Sequence, residues 1–104
     1  MYIGKIKVTN QWQKLETLIQ QQVEGQSSFA FADDKKYQMQ GESDFGIRFC
    51  NAADAPTDLD VGEVIRGTQT TQYKVEEGAN LYVKTFQNNG PVSAVLHIST
   101  IGEE

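Results

Sequence analysis

From Tyr2 to Thr9 the side chains alternate, with Tyr2, Ile6 and Val8 on one side and Lys5 and Lys7 on the other. That is the period of a strand with one wet face. Gly4 interrupts the run and predicts a bulge or a close crossing at that point. The period then lengthens: Trp12, Leu15, Leu18, Ile19 and Val23 recur at three- and four-residue steps, with Gln and charged residues between them. This spacing predicts a helix near residues 10–24, capped by Thr9 or Asn10, ended by Gly25, and anchored in the core by Trp12.

After Ser27 the period returns to two. Phe29 and Phe31 alternate with small residues, Asp33 to Lys36 reads as a turn, and Tyr37 and Met39 alternate with Gln38 and Gln40, so a hairpin is the simplest expectation. Gly41 to Asp44 forms a polar turn before a strand carrying Phe45, Ile47 and Phe49. Residues 51–61 have no period and are rich in turn formers, with Pro56 at their middle. Val64 and Ile65 begin a short strand that ends at Gly67, Thr68 to Thr71 reads as a polar bridge, and alternation resumes at Tyr73 and Val75. Glu77 to Asn80 turns the chain once more. The last two runs, with Leu81, Val83 and Thr85 in one and Ala94, Leu96 and Ile98 in the other, flank Asn88-Asn89-Gly90-Pro91 and read as a C-terminal β-hairpin. Residues 102–104 are a tail that nothing obvious fixes.

Seven or eight short strands separated by turn signals, with one short N-terminal helix, predict a mostly β chain: a single antiparallel β-sandwich or jelly-roll-like barrel. At 104 residues one domain is expected, large enough for one core without a disulfide or a structural metal. Cys50 is the single cysteine and reads as a buried free thiol.

Fourteen acidic and nine basic residues give a formal charge of −5, and the basic residues are scattered, so no nucleic acid partner is expected. No run of apolar residues is long enough to span a bilayer, and the N-terminal residues lack the apolar core of a signal peptide. Association with a membrane is therefore not expected, and synthesis in a cytoplasm is.

His97 is the only histidine; with the even face of its strand in the core it points outward, and an exposed or hydrogen-bonded structural role is expected rather than that of a base. The acidic residues Asp54, Asp58 and Asp60 lie in the irregular segment, but their spacing fits no EF-hand loop, and a solvated acidic loop is the default. The glycines stand singly, without a phosphate loop. Neither an enzyme, a metal site nor a cofactor is expected, and a small-molecule ligand is not favoured. The residues expected to form an interaction surface are Trp12, Tyr73, Tyr82 and Phe86.

Several short motifs in order, WQKLETLI (12–19), YQMQ (37–40), DAPT (54–57), Gly62, G-x-x-LYVKT (78–85) and AVLHIS (94–99), resemble small β-sandwich virion proteins of tailed bacteriophages. The resemblance implies a non-enzymatic head-decoration, fibre or accessory protein. Its expected partners are other virion proteins in capsid or tail, and expected self-association makes it a homo-oligomer located in the virion. Two other readings stay open. One is a carbohydrate-binding module on a jelly-roll scaffold, using Trp12, Tyr37, Tyr73, Tyr82 and Phe86 as a stacking platform. The other is an inhibitor whose acidic surface imitates DNA, a reading weakened by the interspersed Lys and Arg.

Overall fold

The computed structural model describes residues 2–32, 35–42, 46–58, 61–66, 69–74, 79–86 and 94–101. Eight strands and one helix are formed by these residues: β1 (Tyr2–Val8), β2 (Gln13–Lys14), α1 (Leu15–Gln22), β3 (Lys36–Gly41), β4 (Ile47–Ala52), β5 (Glu63–Ile65), β6 (Thr70–Lys74), β7 (Asn80–Thr85) and β8 (Ala94–Thr100). They build two antiparallel four-stranded sheets, β1-β8-β3-β6 and β2-β7-β4-β5. The pairs β1–β8, β2–β7, β3–β6 and β4–β5 are the rungs of one long hairpin rolled up on itself, joined by the added pairs β3–β8 and β4–β7. This is the strand order of a jelly roll.

The two inner faces meet in a core of Ile6, Val8, Tyr37, Met39, Ile47, Phe49, Ile65, Leu81, Val83, Ala94, Leu96 and Ile98. These are the alternate positions of their strands, as a two-residue period requires. The C-terminal hairpin expected from the sequence does not form. β7 and β8 are both strands, but they lie in opposite sheets, so the chain crosses the sandwich between them. A cluster of turn formers fits a crossing connection as well as a tight turn, and each strand has an inner apolar face in either arrangement; Asn88 to Pro91 itself lies outside the described residues.

The helix also differs from its expected bounds. It begins at Leu15, because Gln13 and Lys14 are held extended by pairing with Val83 and Tyr82. Its N-terminal flanking residue is Lys14, with no side-chain cap, so neither Thr9 nor Asn10 plays that part, and Trp12 precedes the helix. Leu15, Leu18 and Ile19 are buried, and their burial is worth about 1.5–3 kcal/mol each. Gly4 sits where the β1–β8 register shifts, and a Cβ there would lie 2.8 Å from Val23 Cγ1. The bulge turns Tyr2 outward, 57% exposed, away from the face shared by Ile6 and Val8.

Phe29 and Phe31 do not form a strand. Their backbone is satisfied by side chains instead: Glu16 accepts from Phe31 N at 2.9 Å, Gln20 donates to Phe29 O at 2.7 Å, and the Tyr37 hydroxyl accepts from Ala32 N at 2.9 Å. The strand then expected to partner them, β3, pairs with β6 and β8. Thr70 and Thr71 belong to β6 rather than to a bridge, and β4 runs on through Asn51 and Ala52. Phe45, Gly67, Val75, the Glu77 side of its turn and residues 102–104 lie outside the described residues.

Candidate functional site: an open sheet edge and its groove

Each sheet has two edges, and they are not alike. At the β1 edge, the Gln22 side chain accepts from Lys7 N at 2.8 Å and donates to Lys7 O at 3.1 Å, so the helix end blocks the strand. In the other sheet, β2 has two residues and β5 has three, too short to template a ladder. β6 differs. It has five residues and, among the described residues, pairs with β3 alone, as the terminal strand of its sheet.

Beside β6 the sandwich is parted by a groove of about 490 Å³, lined on one wall by Gln72, Tyr73 and Lys74 and on the other by Cys50, Asn51 and Glu63. The groove exists because β5 covers β4 only from Ile47 to Phe49, leaving Cys50 and Asn51 beyond the end of the ladder. Two long hydrogen bonds cross between the sheets here. Tyr73 Oη donates to Asn51 Oδ1 at 3.4 Å, and Thr71 Oγ1 donates to Glu63 Oε2 at 3.4 Å. Gly62 shapes the far wall: its φ is +96°, and a Cβ would stand 2.1 Å from Phe49 O. Cys50, expected to be buried, is a free thiol at intermediate exposure, because its position on β4 faces outward from the core.

The four aromatic residues expected at an interaction surface do not come together. Tyr73 packs on the inner side of β6 with its ring 5.7 Å from that of Phe31 at 75°. Tyr82 is half-buried on the outer side of β7, between Lys14 and Cys50 in register. Phe86 follows β7 and is flanked by two guanidinium groups, Arg48 at 4.7 Å and Arg66 at 4.6 Å from its centroid. Trp12 donates from Nε1 to Asp58 O at 2.9 Å and lies 5.9 Å from Lys84 Nζ. Lys84, though outward in register, is fully buried, with Nζ donating to Thr85 O at 2.8 Å. Tyr37 is only 3% exposed, edge-on to Phe31. The aromatic pairs around Phe29, Phe31, Tyr37 and Tyr73 meet at 73–82°, an edge-to-face cluster rather than a coplanar platform.

His97 does point out of the core and is hydrogen-bonded. Tyr2 Oη lies 2.8 Å from its Nδ1, and Glu42 accepts at its Nε2, which therefore carries the proton while Glu42 is ionised. The hydrogen bond from His97, and then its charge, hold the Glu42 carboxyl below its usual range; Lys5 adds to this and slight desolvation opposes it. The cluster joins β1, β8 and the end of β3 across the outer face of one sheet. Asp54 and Asp58 are exposed, Asp60 lies outside the described residues, and no group of three metal-ligating side chains occurs among the described residues. Among the same residues no helix is long and apolar enough to cross a membrane.

The sequence signal for the open edge was weak. Thr70-Thr71-Gln72-Tyr73-Lys74 is polar and β-branched, which fits a strand wetted on one face, but which strand ends a sheet is a property of pairing. No family model, curated protein or solved structure matches this chain.

Proposed function

We propose that this chain is a non-enzymatic structural module of a tailed-phage particle, adhering to neighbouring capsid or tail proteins and to copies of itself. The observation that carries the reading is the β6 edge, five residues of terminal strand above a groove of about 490 Å³. An edge of this kind offers a row of backbone donors and acceptors that another chain satisfies by adding a strand. Jelly rolls recur in viral capsids and in lectins, so the fold supports the reading without selecting it. The edge favours protein adhesion, because backbone pairing recognises an extended polypeptide. Modest interfaces gain their strength from repetition on a symmetric particle.

Co-sedimentation of the purified chain with phage heads and with tails, alongside light scattering of the chain alone across a concentration series, tests the proposal. The expected result is saturable binding to one of the two structures and a mass that rises with concentration. A strict monomer at the highest concentration that stays in the supernatant with both contradicts it.

A further inference from the structure

Where β4 begins and β5 and β7 end, the β2-β7-β4-β5 sheet carries a corner of another kind. Phe86 is set there by its backbone: its N donates to Gly46 O at 2.7 Å. Gly46 makes room for it, since a Cβ at that position would lie 3.1 Å from Phe86 Cβ and 3.0 Å from Ile65 O. Arg48 and Arg66 lay their guanidinium groups on this ring, 4.7 and 4.6 Å from its centroid. The two charges therefore stand no farther apart than the sum of those distances, about 9.3 Å. Arg66 is also fixed at its backbone, with N donating to Gln69 Oε1 at 2.7 Å and O accepting from Gln69 N at 3.0 Å. Arg48 stands directly opposite Lys84 in the β4–β7 ladder, so three cations gather at one corner of a chain whose formal charge is −5. Like charges held this close cost stability, and an anion placed among them offsets that cost.

We infer that this corner is a binding site for carboxylates, and that its occupant is an extended, acidic polypeptide segment of a neighbouring protein; the inference rests on the proposed adhesive function and gives it a second contact, apart from the β6 edge. A guanidinium stacked on a ring uses its flat face and keeps its five N–H donors in the plane, available to an oxyanion. That fork matches a carboxylate through two parallel hydrogen bonds. Arg66 is exposed, and among the described residues no carboxylate pairs with it. In an extended chain alternate side chains project to the same side about 6.8 Å apart, a spacing that lies within the reach of two guanidinium groups on one ring. The segment that fits is therefore acidic at alternate positions. A nucleic-acid strand fits less well, because a phosphate on every nucleotide would also meet the acidic remainder of this surface, whereas two local carboxylates meet only the arginines.

Fluorescence anisotropy of the full chain with a short labelled peptide of alternating aspartate and serine, and with its asparagine counterpart, tests the site. The aspartate peptide is expected to bind saturably and the asparagine peptide to bind poorly, with the difference shrinking as salt is raised. Arg66→Gln is expected to weaken binding about tenfold, the loss of one charge-assisted contact. Arg66→Lys keeps the charge without the planar fork and is expected to lose most of the binding too, which separates a fitted site from general attraction. Circular dichroism of both variants against the parent keeps the comparison to folded protein. Equal affinity for the two peptides, no effect of Arg66→Gln, or full binding by Arg66→Lys overturns the inference. Inorganic phosphate or a single-stranded oligonucleotide that displaces the peptide at lower concentration than the unlabelled peptide does assigns the corner to phosphate and overturns the polypeptide as its occupant. Co-sedimentation with phage heads and tails separates the site from the function it rests on. If the parent sediments and Arg66→Gln sediments equally well, the site is overturned and the particle role stands; if the parent stays in the supernatant yet binds the peptide through Arg66, the site stands and the particle role is overturned.

Discussion

Glu42 is the described residue whose protonation is coupled most directly to the fold, through the hydrogen bond with His97 that joins the end of β3 to β8. In the unfolded chain the Glu42 carboxyl titrates at its ordinary 4.5, and in the folded chain it titrates lower. A carboxyl depressed by folding stabilises the native state fully above its unfolded value and loses that contribution as pH falls through the folded one. Glu42→Gln is therefore expected to lower stability above pH 4.5 and to converge on the parent as the pH falls through the lower value of the folded chain. Urea unfolding of the two proteins across that range checks it; a difference that persists undiminished in acid contradicts the account. The outward direction of the histidine is readable from strand parity alone. Its partners are not, since Tyr2 reaches it only because the Gly4 bulge turns the first residues of β1 around.

At the scale of elements, the two long edges of one sheet are treated differently, and the difference lies in a single side chain. Gln22 presents its amide to both backbone groups of Lys7, closing β1, whereas β6 has no such guard among the described residues. Gln22→Ala is expected to cost about 1 kcal/mol, because exposed hydrogen bonds contribute modestly, and to open a second adhesive edge. Thermal unfolding reads the first effect, and light scattering reads the second as association beyond that of the parent. An unchanged association state would show that β1 needs no guard. Alternation in the sequence revealed β1, β3, β4, β7 and β8 because each turns alternate side chains into the core. It misplaced the helix start and the Phe29–Phe31 segment for one shared reason: tertiary partners overrode local period. Trp12 keeps helical spacing with Leu15, yet pairing of Gln13 and Lys14 with β7 keeps the chain extended there. Phe29 and Phe31 keep strand spacing, yet Glu16 and Gln20 supply their backbone partners.

The whole molecule is a hairpin rolled so that the first and last strands lie side by side, and the strands nearest in sequence are mostly in opposite sheets. Inner and outer faces could be read strand by strand, because burial acts on each residue separately. Pairing could not, since it depends on which strands meet after long loops close, and the same alternation serves a hairpin or a crossing. The position of β6 as a terminal strand, on which the proposed function turns, belongs to this unreadable part. The central claim is that this edge is where the chain adheres to others, and amide hydrogen exchange tests it most directly. In dilute solution alternate amides of β6 are expected to exchange rapidly while those of β3 and β8 stay protected, and raising the protein concentration should protect the β6 amides alone. β6 amides whose exchange is unmoved by concentration and by added phage heads or tails would contradict it.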